Sequence, residues 1–314
     1  MKRKAIVLIV CLAFAMGVVT QATAQVTPRV AIILKTLANP FWVTMKEGIL
    51  AEAQKQGIKV DVFAVQSEDD TQGQLQLFEN LLSKDYNAIG FAPISPVNLV
   101  QPAANAYKKG VFLVNIDEKV DMAALKAAGG NVFAFVTTDN VVVGRTAGEF
   151  IVKQIGSAGG KVAILEGKAG NASGEFRKQG ATQAFASAKG FTLVASQPAD
   201  WDRAKALDVA SNIIRRFPDL KAIYACNDTM ALGAMQAVKN AGKLGQILVV
   251  GTDGDPEAVA SVKAGEMAAT VAQDPAEVGA ESLRQLLAAL KTGKQIPLNA
   301  DPAYVAVNSK LITK

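Results

Sequence analysis

Short apolar runs alternate along the chain with longer amphipathic segments. Several runs, such as Val30–Leu34, are apolar at every position, which is typical of parallel strands buried on both faces. The predicted strands are Val30–Leu34, Val60–Val65, Ala88–Phe91, Val111–Asn115, Phe133–Thr137, Val162–Glu166, Phe191–Ser196, Ala222–Cys226, Ile247–Thr252 and Met267–Gln273.

The segments between the runs carry apolar residues at helical spacing, and several end at a glycine that follows a basic residue, as in Lys108-Lys109-Gly110. Glycine permits the left-handed cap, and cations suit the C-terminal end of a helix. The predicted helices include Trp42–Gln56, Gln72–Ser83, Leu99–Lys109, Val141–Ile155, Arg203–Phe217, Met230–Ala241 and Pro275–Lys291. Alternating strands and helices predict an α/β protein with doubly wound parallel sheets.

Ten strands are better divided between two lobes than placed in one sheet. No Gly/Ser-rich or Pro-rich linker separates two halves of the chain. We therefore expect two Rossmann-like lobes that exchange the chain through short hinges.

The composition is globular, with 50% hydrophobic and 19% charged residues, and it contains no histidine. The absence of histidine excludes Ser-His-Asp and Cys-His catalysis and the metal sites that need an imidazole ligand. No G-x-S-x-G elbow, phosphate-binding loop, dinucleotide fingerprint or calcium loop is found. Carboxylates at Asp117, Glu118 and Asp253 leave an exported sugar-processing enzyme open as an alternative.

The N-terminal residues have the pattern of a secretory signal peptide. Lys2-Arg3-Lys4 precedes the apolar run Ala5–Val19, and Ala22-Thr23-Ala24 is a small-residue cleavage site. The run is too short to span a bilayer. Cleavage after Ala24 predicts export to the periplasm and removes three positive charges from a chain of net charge +5, so nothing favours a nucleic-acid partner.

Polar and aromatic side chains follow the predicted strands, where α/β sheets bind their ligands. Planar amides, carboxylates and guanidinium groups can hydrogen-bond neighbouring hydroxyls, and aromatic faces can cover the C–H face of a sugar ring. This pattern indicates a pyranose site. The candidates are Lys35, Asn39, Phe41, Trp42, Asp117, Glu118, Asn171, Arg177, Trp201, Asn227, Asp253 and Gln273.

Several strand-end residues have structural alternatives. Asp139-Asn140 and Asp228-Thr229 precede helices and suit N-caps, and Asp253 suits a turn. Trp42 could pack under its own helix. Arg177 ends the long polar loop Gly167–Arg177 and lies on a polar helix start, where it could be a solvated arginine.

Five motifs together resemble the periplasmic sugar-binding proteins of ABC importers, in the ribose-binding group. The motifs are Asn39-Pro40-Phe41-Trp42, Asn115-Ile116-Asp117, Gln197-Pro198-Ala199-Asp200-Trp201-Asp202, Ala225-Cys226-Asn227-Asp228 and Gly251-Thr252-Asp253-Gly254. The resemblance implies a type I periplasmic binding protein fold, with two lobes joined by a three-strand hinge. It assigns 27–138 and 274–302 to the N-terminal lobe and 139–273 and 303–314 to the C-terminal lobe.

The resemblance also implies roles for the candidate residues. Phe41, Trp42 and Trp201 would sandwich the sugar ring, and Asn171 could reach an additional hydroxyl. Lys35 and Glu118 depart from the ribose-specific pattern and favour an allose-like hexose, D-allose. The hydroxyls would be hydrogen-bonded by Asn39, Asp117, Arg177, Asn227, Asp253 and Gln273.

The implied protein is a monomer that binds its sugar without turnover and needs no cofactor. Its expected partners are the monosaccharide, a membrane permease of an ABC transporter and a chemoreceptor that reads the closed form. D-ribose, D-psicose or another sugar remains the alternative ligand.

Overall fold

The computed structural model describes residues 27–314. The signal peptide predicted at residues 1–24 lies outside these residues. No helix within the described part of the chain is long and apolar enough to cross a membrane.

Twelve strands and ten α-helices alternate along the described chain. The strands are β1 (Val30–Thr36), β2 (Val60–Val65), β3 (Ala88–Phe91), β4 (Phe112–Ile116), β5 (Ala134–Thr138), β6 (Gly160–Glu166), β7 (Phe191–Pro198), β8 (Leu220–Ala225), β9 (Leu248–Asp253), β10 (Ala269–Ala272), β11 (Ala303–Val307) and β12 (Lys310–Thr313). The helices are α1 (Pro40–Gln56), α2 (Thr71–Leu81), α3 (Val100–Lys108), α4 (Met122–Ala127), α5 (Asn140–Ile155), α6 (Ala172–Ser187), α7 (Arg203–Arg216), α8 (Asp228–Asn240), α9 (Pro256–Ala264) and α10 (Pro275–Thr292).

The strands form two six-stranded sheets, which confirms the predicted fold class. The first sheet has the order β2-β1-β3-β4-β5-β11, and all its pairs are parallel. The second has the order β7-β6-β8-β9-β10-β12, where β12 alone runs antiparallel to its neighbour. All seven residues of β1 are buried, as expected for a central strand covered by helices on both faces.

Each sheet has its own hydrophobic core, and we call a sheet with its helices a lobe. The first lobe contains α1–α4 and α10, and the second contains α5–α9. Helix α10 follows a strand of the second sheet but packs on the first, where Val278 and Leu286 join the core of Val30 and Ile32. Gly48 allows α1 to approach α10 closely, since a Cβ there would lie 2.1 Å from the carbonyl oxygen of Ala276.

The chain passes between the sheets three times. It leaves the first sheet after β5, returns after β10 and passes again between β11 and β12. The assignment of all of 303–314 to the C-terminal lobe is wrong for 303–307, because Ala303–Val307 pairs in register with β5 of the first sheet. The third crossing therefore lies at 308–309, between β11 and β12, and not at the 302–303 boundary that this assignment implies. Strand β11 was not among the predicted strands, although Ala303–Val307 is apolar at every position; it lies at the edge of the sheet and most of its residues are exposed.

Candidate functional site

The carboxyl ends of both sheets face a cavity that lies between the two lobes. Its empty volume, which includes space open to solvent, is about 320 Å³. Ten of the twelve predicted site residues line it, together with two that were not predicted, Glu68 and Ser173. The lining consists of Lys35, Asn39, Phe41, Trp42, Glu68, Asp117, Ser173, Arg177, Trp201, Asn227, Asp253 and Gln273.

The start of helix α1 brings an amide and two aromatic rings to the cavity. The side chain of Asn39 caps the helix by accepting a hydrogen bond from the Phe41 amide at 3.0 Å. The rings of Phe41 and Trp42 meet edge to face, with centroids 5.0 Å apart. Trp42 fits both sequence interpretations, because it belongs to the core under α1 and also lines the cavity.

Lys35 ends in a buried network of opposite charges on the first-lobe side. Its Nζ lies 3.5 Å from Glu118 Oε2, 3.7 Å from Glu68 Oε2 and 5.5 Å from the centroid of the Trp42 ring. Burial alone would lower the pKa of this ammonium group, but the two glutamates outweigh it and raise the pKa above its usual value. Lys35 is therefore held as a cation at the cavity wall.

Glu118 lies behind the cavity wall and contacts the second lobe. Its Oε1 accepts from the Ala172 amide at 2.6 Å and its Oε2 accepts from Ser173 Oγ at 2.8 Å, and the residue is fully buried. These donors stand at the N-terminus of α6, where a carboxylate is favoured by the free amides and the helix dipole. A residue of the first lobe thus caps a helix of the second.

Helix α6 replaces the second half of the predicted loop Gly167–Arg177. It begins at Ala172, and its own N-cap residue, Asn171, makes no side-chain capping bond. The Asn171 side chain instead donates to the Ile94 carbonyl at 3.0 Å and accepts from Trp201 Nε1 at 3.0 Å. Like Glu118, Asn171 is not among the residues that line the cavity, and both the nitrogen and the oxygen of its side-chain amide already have a protein partner.

Arg177 is buried on α6 and is not the solvated arginine that sequence left open. Its Nε donates to Asn140 Oδ1 at 2.8 Å, and its Nη1 donates to the Cys226 carbonyl at 2.7 Å and lies 3.4 Å from Asp253 Oδ1. Burial acts to lower the pKa of the guanidinium, but Asp253 more than offsets it, so the pKa is raised. The side chain is therefore fixed as a charged donor.

Trp201 closes the second-lobe side of the cavity. A Cβ on Gly167 would lie 2.0 Å from the ring, so only glycine there leaves room for the indole in this position. The guanidinium of Arg177 lies 5.9 Å from the ring centroid, a cation–π distance. The ring is thus fixed by its neighbours before any ligand is considered.

The structure resolves the alternatives at the helix starts. Asp139 caps α5 by accepting from the Val142 amide, as its N-cap interpretation predicts. Asn227 caps α8, whereas Asp228 is buried in the first turn and accepts from the Gly254 and Asp255 amides. The N-cap interpretation of Asp228 is wrong, because its carboxylate holds the loop that follows β9.

Three cavity residues adopt left-handed backbone angles, which are costly for residues other than glycine. These are Asp117 (φ 55°), Trp201 (φ 65°) and Asp253 (φ 125°), and Asp200 (φ 54°) adjoins Trp201. Such strain is found mostly where function requires a side chain to point in one direction. Here it aims two carboxylates and an indole into one cavity.

Two buried oxygen atoms of the cavity have no hydrogen-bond partner within residues 27–314, namely Asp117 Oδ1 and Gln273 Oε1. An unpaired buried acceptor is costly, so both suit a ligand that donates hydrogen bonds. Burial raises the pKa of Asp117 to about 6, against the opposing effects of Lys35 and Arg177. Burial also raises the pKa of Asp253, although Arg177 favours its ionised form.

Glu68 and Ser173 are cavity residues that the sequence analysis missed. Glu68 follows strand β2 by three residues, so the strand-end rule that found the others would have found it. Ser173 lies in the first turn of α6, which was interpreted as a loop. Among residues 27–314, no group of acidic or cysteine side chains is arranged to hold a metal ion.

Three comparisons relate the chain to known proteins. The family of periplasmic binding protein domains matches residues 30–295. The D-allose-binding periplasmic protein of Escherichia coli is 59% identical over 298 residues, which are 95% of this chain and 96% of that protein. The ribose import binding protein of Haemophilus influenzae is 37% identical over 264 residues, covering 84% and 86% of the two chains.

A solved structure agrees with these relatives. The periplasmic solute-binding protein of an ABC transporter from Actinobacillus succinogenes, with bound D-allose, superposes with a TM-score of 0.84 at 34% identity. The match covers 91% of this chain and 97% of that one.

Proposed function

The chain belongs to the family of periplasmic binding protein domains, and from this premise we propose that it captures D-allose between its two lobes and delivers the sugar to the permease of an ABC transporter. The observation that carries the proposal is a polar cavity lined from both lobes, in which two buried acceptors have no hydrogen-bond partner among residues 27–314. The similarity to a D-allose-binding relative and the charged pair Lys35–Glu118 support D-allose over D-ribose.

The lining supplies complementary contacts for a pyranose. Asp117 and Gln273 accept from hydroxyls through their free oxygens, and Arg177 donates. Each hydrogen bond to a charged group contributes about 1.5–3 kcal/mol, so a misplaced hydroxyl that leaves one unmade is strongly disfavoured. The rings of Trp42 and Trp201 cover the apolar faces of the sugar.

Closure couples binding to transport. Because the sugar touches both lobes only when they are closed, it shifts an open–closed equilibrium toward the closed form. We infer that the hinges are the three crossings near 138–139, 273–274 and 308–309. The closed monomer is then recognised by the permease, and by a chemoreceptor in cells that use the same signal.

The proposal includes binding without turnover in the periplasm, after removal of the signal peptide. The chain has no histidine to act as a general base near neutral pH, and its site carboxylates are engaged by, or placed beside, fixed cations. A sugar recovered unchanged by NMR after long incubation is the expected result. Any new product would favour the exported enzyme instead.

Isothermal titration with D-allose, D-ribose, D-psicose, D-glucose and D-galactose tests the ligand. We expect a D-allose Kd of about 1 μM or lower, near −8 kcal/mol, and D-glucose at least about 100-fold weaker. Asp117→Ala should abolish measurable binding, while Asp208→Ala, at an exposed acid of α7, should leave it unchanged. Tighter binding of D-ribose would overturn D-allose, and no binding of any sugar would overturn the proposed function.

A further inference from the structure

Glu68 is the one acidic cavity residue that no sequence motif indicated. It lies in the loop between β2 and α2, and its side chain is only 17% exposed. This loop belongs to the first lobe, but it lies at the boundary with the second. The side chain of Glu68 contacts residues of the first lobe, and its main chain contacts the second lobe.

The carboxylate of Glu68 faces the cavity and contacts two of its lining residues. Oε1 accepts a hydrogen bond from Trp42 Nε1 at 3.0 Å, and Oε2 lies 3.7 Å from Lys35 Nζ. The indole can donate only through this nitrogen, so the contact fixes the rotation of the ring. Glu68 therefore fixes the orientation of both an aromatic ring and a cation that line the cavity.

The main chain of Glu68 faces the second lobe. Its carbonyl oxygen accepts from Lys168 Nζ at 2.8 Å, and the same ammonium pairs with Asp69. Lys168 lies in the short loop between β6 and α6, so the contact joins the two lobes. The residue that orients the pocket thus also takes part in the contact between the lobes.

We propose that Glu68 is a positioning residue that couples the shape of the sugar pocket to the contact between the lobes. The inference rests on the proposed sugar-binding function. In the open protein the carboxylate holds Trp42 and Lys35 in the orientation that the sugar needs, which lowers the cost of ordering them on binding. In the closed protein Lys168 fixes the Glu68 main chain and slows reopening.

Two substitutions of Glu68 separate its contacts. Glu68→Ala removes both contacts and should weaken D-allose binding by roughly 30-fold, the range expected for a buried, charged hydrogen-bonding group. Glu68→Gln keeps an oxygen for the Trp42 indole but removes the charge beside Lys35, so a smaller loss, about 3–10-fold, is expected. Glu79→Gln, at an exposed acid on α2, is the matched control and should bind normally.

Lys168→Met tests the contact between the lobes. It leaves the cavity lining intact and should raise the dissociation rate of D-allose about 3–10-fold, with little change in the association rate. If the two residues are coupled, the double variant with Glu68→Ala and Lys168→Met should lose less D-allose affinity than the product of the two separate losses. The reason is that Glu68→Ala already displaces the loop after β2 and so releases Lys168. Strictly multiplicative losses would overturn the coupling.

A fluorescence readout tests the positioning role without sugar. In a Trp201→Phe background Trp42 is the one remaining tryptophan, and Glu68→Ala should change its emission spectrum in the sugar-free protein, whereas Glu68→Gln should preserve it. An unchanged spectrum in Glu68→Ala, or D-allose affinity within about threefold of the parent protein, would overturn the inference. If the parent protein binds no sugar, the proposed function fails, while the emission spectrum still decides whether Glu68 positions Trp42.

Discussion

Glu118→Gln perturbs the contact by which the first lobe caps a helix of the second. The carboxylate is fully buried, accepts from the Ala172 amide and from Ser173 Oγ, and pairs with the Lys35 ammonium at 3.5 Å. Glutamine keeps one acceptor oxygen and places an amide NH₂ group where the other oxygen stood. Because Lys35 and the Ala172 amide can only donate, the glutamine loses either the charged hydrogen bond from Ala172 or the ionic contact with Lys35.

The magnitude follows from the bonds that are lost. A charged hydrogen bond contributes about 1.5–3 kcal/mol, and Ser173 can rotate its hydroxyl to recover part of this. We expect a net cost of about 2 kcal/mol, which corresponds to D-allose binding weakened ~30-fold. The contacts with Ala172 and Ser173 span the two lobes, so their loss belongs to the closed state, whereas the Lys35 pair lies within the first lobe, where Glu68 remains as a partner for the ammonium group. The unfolding midpoint of the sugar-free protein should therefore change by less than ~2 °C.

Isothermal titration and thermal unfolding, each with and without sugar, measure the two effects. Glu175→Gln is the matched control, since Glu175 is an acid of the same helix turn that pairs with Lys178 near the surface. It should leave affinity unchanged. A large drop in the unfolding midpoint of sugar-free Glu118→Gln, or an unchanged D-allose Kd, would refute the assignment of this cap to the closed state.

Three further predictions concern single groups. Trp201→Ala should weaken D-allose by more than ~1 kcal/mol in titration, because an aromatic face and a cation–π contact are lost. Burial raises the pKa of Asp117 to about 6 in the sugar-free protein, and sugar lowers this pKa because hydroxyl donors favour the ionised carboxylate. D-allose affinity should therefore be full above pH 6 and fall as the pH drops through 6. Burial raises the pKa of Cys226 to about 12, so its thiol should resist disulfide reagents at pH 8 until the protein is unfolded.

Each of these three has a contradicting result. Unchanged affinity in Trp201→Ala would make the indole a structural residue of its loop. A D-allose affinity that does not change between pH 7 and pH 5 would contradict the role of the Asp117 carboxylate. The same pH profile in Asp117→Asn as in the parent protein would also contradict it. Rapid modification of Cys226 in the native protein lacking residues 1–24 would contradict its burial.

The sequence predicted the elements whose signal is local. All ten predicted strands have counterparts, and Val60–Val65 and Ala88–Phe91 match residue for residue. Edge strand β11 was missed although Ala303–Val307 is an apolar run, and its partner β5 lies far away along the chain. The start of α6 was missed because its cap is supplied by Glu118, which is distant along the chain.

The site was predictable to the extent that strand ends share one edge of a sheet. Ten of the residues chosen by that rule line the cavity, and the rule would also have found Glu68 if it had been applied after β2. It could not predict which way a side chain turns at that edge. Glu118 and Asn171 point to partners in the opposite lobe, and such partners exist only once both lobes are in place.

The pairing of Ala303 with Ala134 has a consequence for the order of folding. The chain between these two residues contains every strand of the second sheet except β12. Bringing the ends of so long a loop together costs entropy that grows with its length, whereas β6–β10 can pair from contiguous chain. Folding of the second lobe brings the ends of this loop closer together. The rate at which β11 joins the first sheet therefore depends on residues of the second lobe. A destabilising substitution in the second lobe is therefore expected to slow completion of the first.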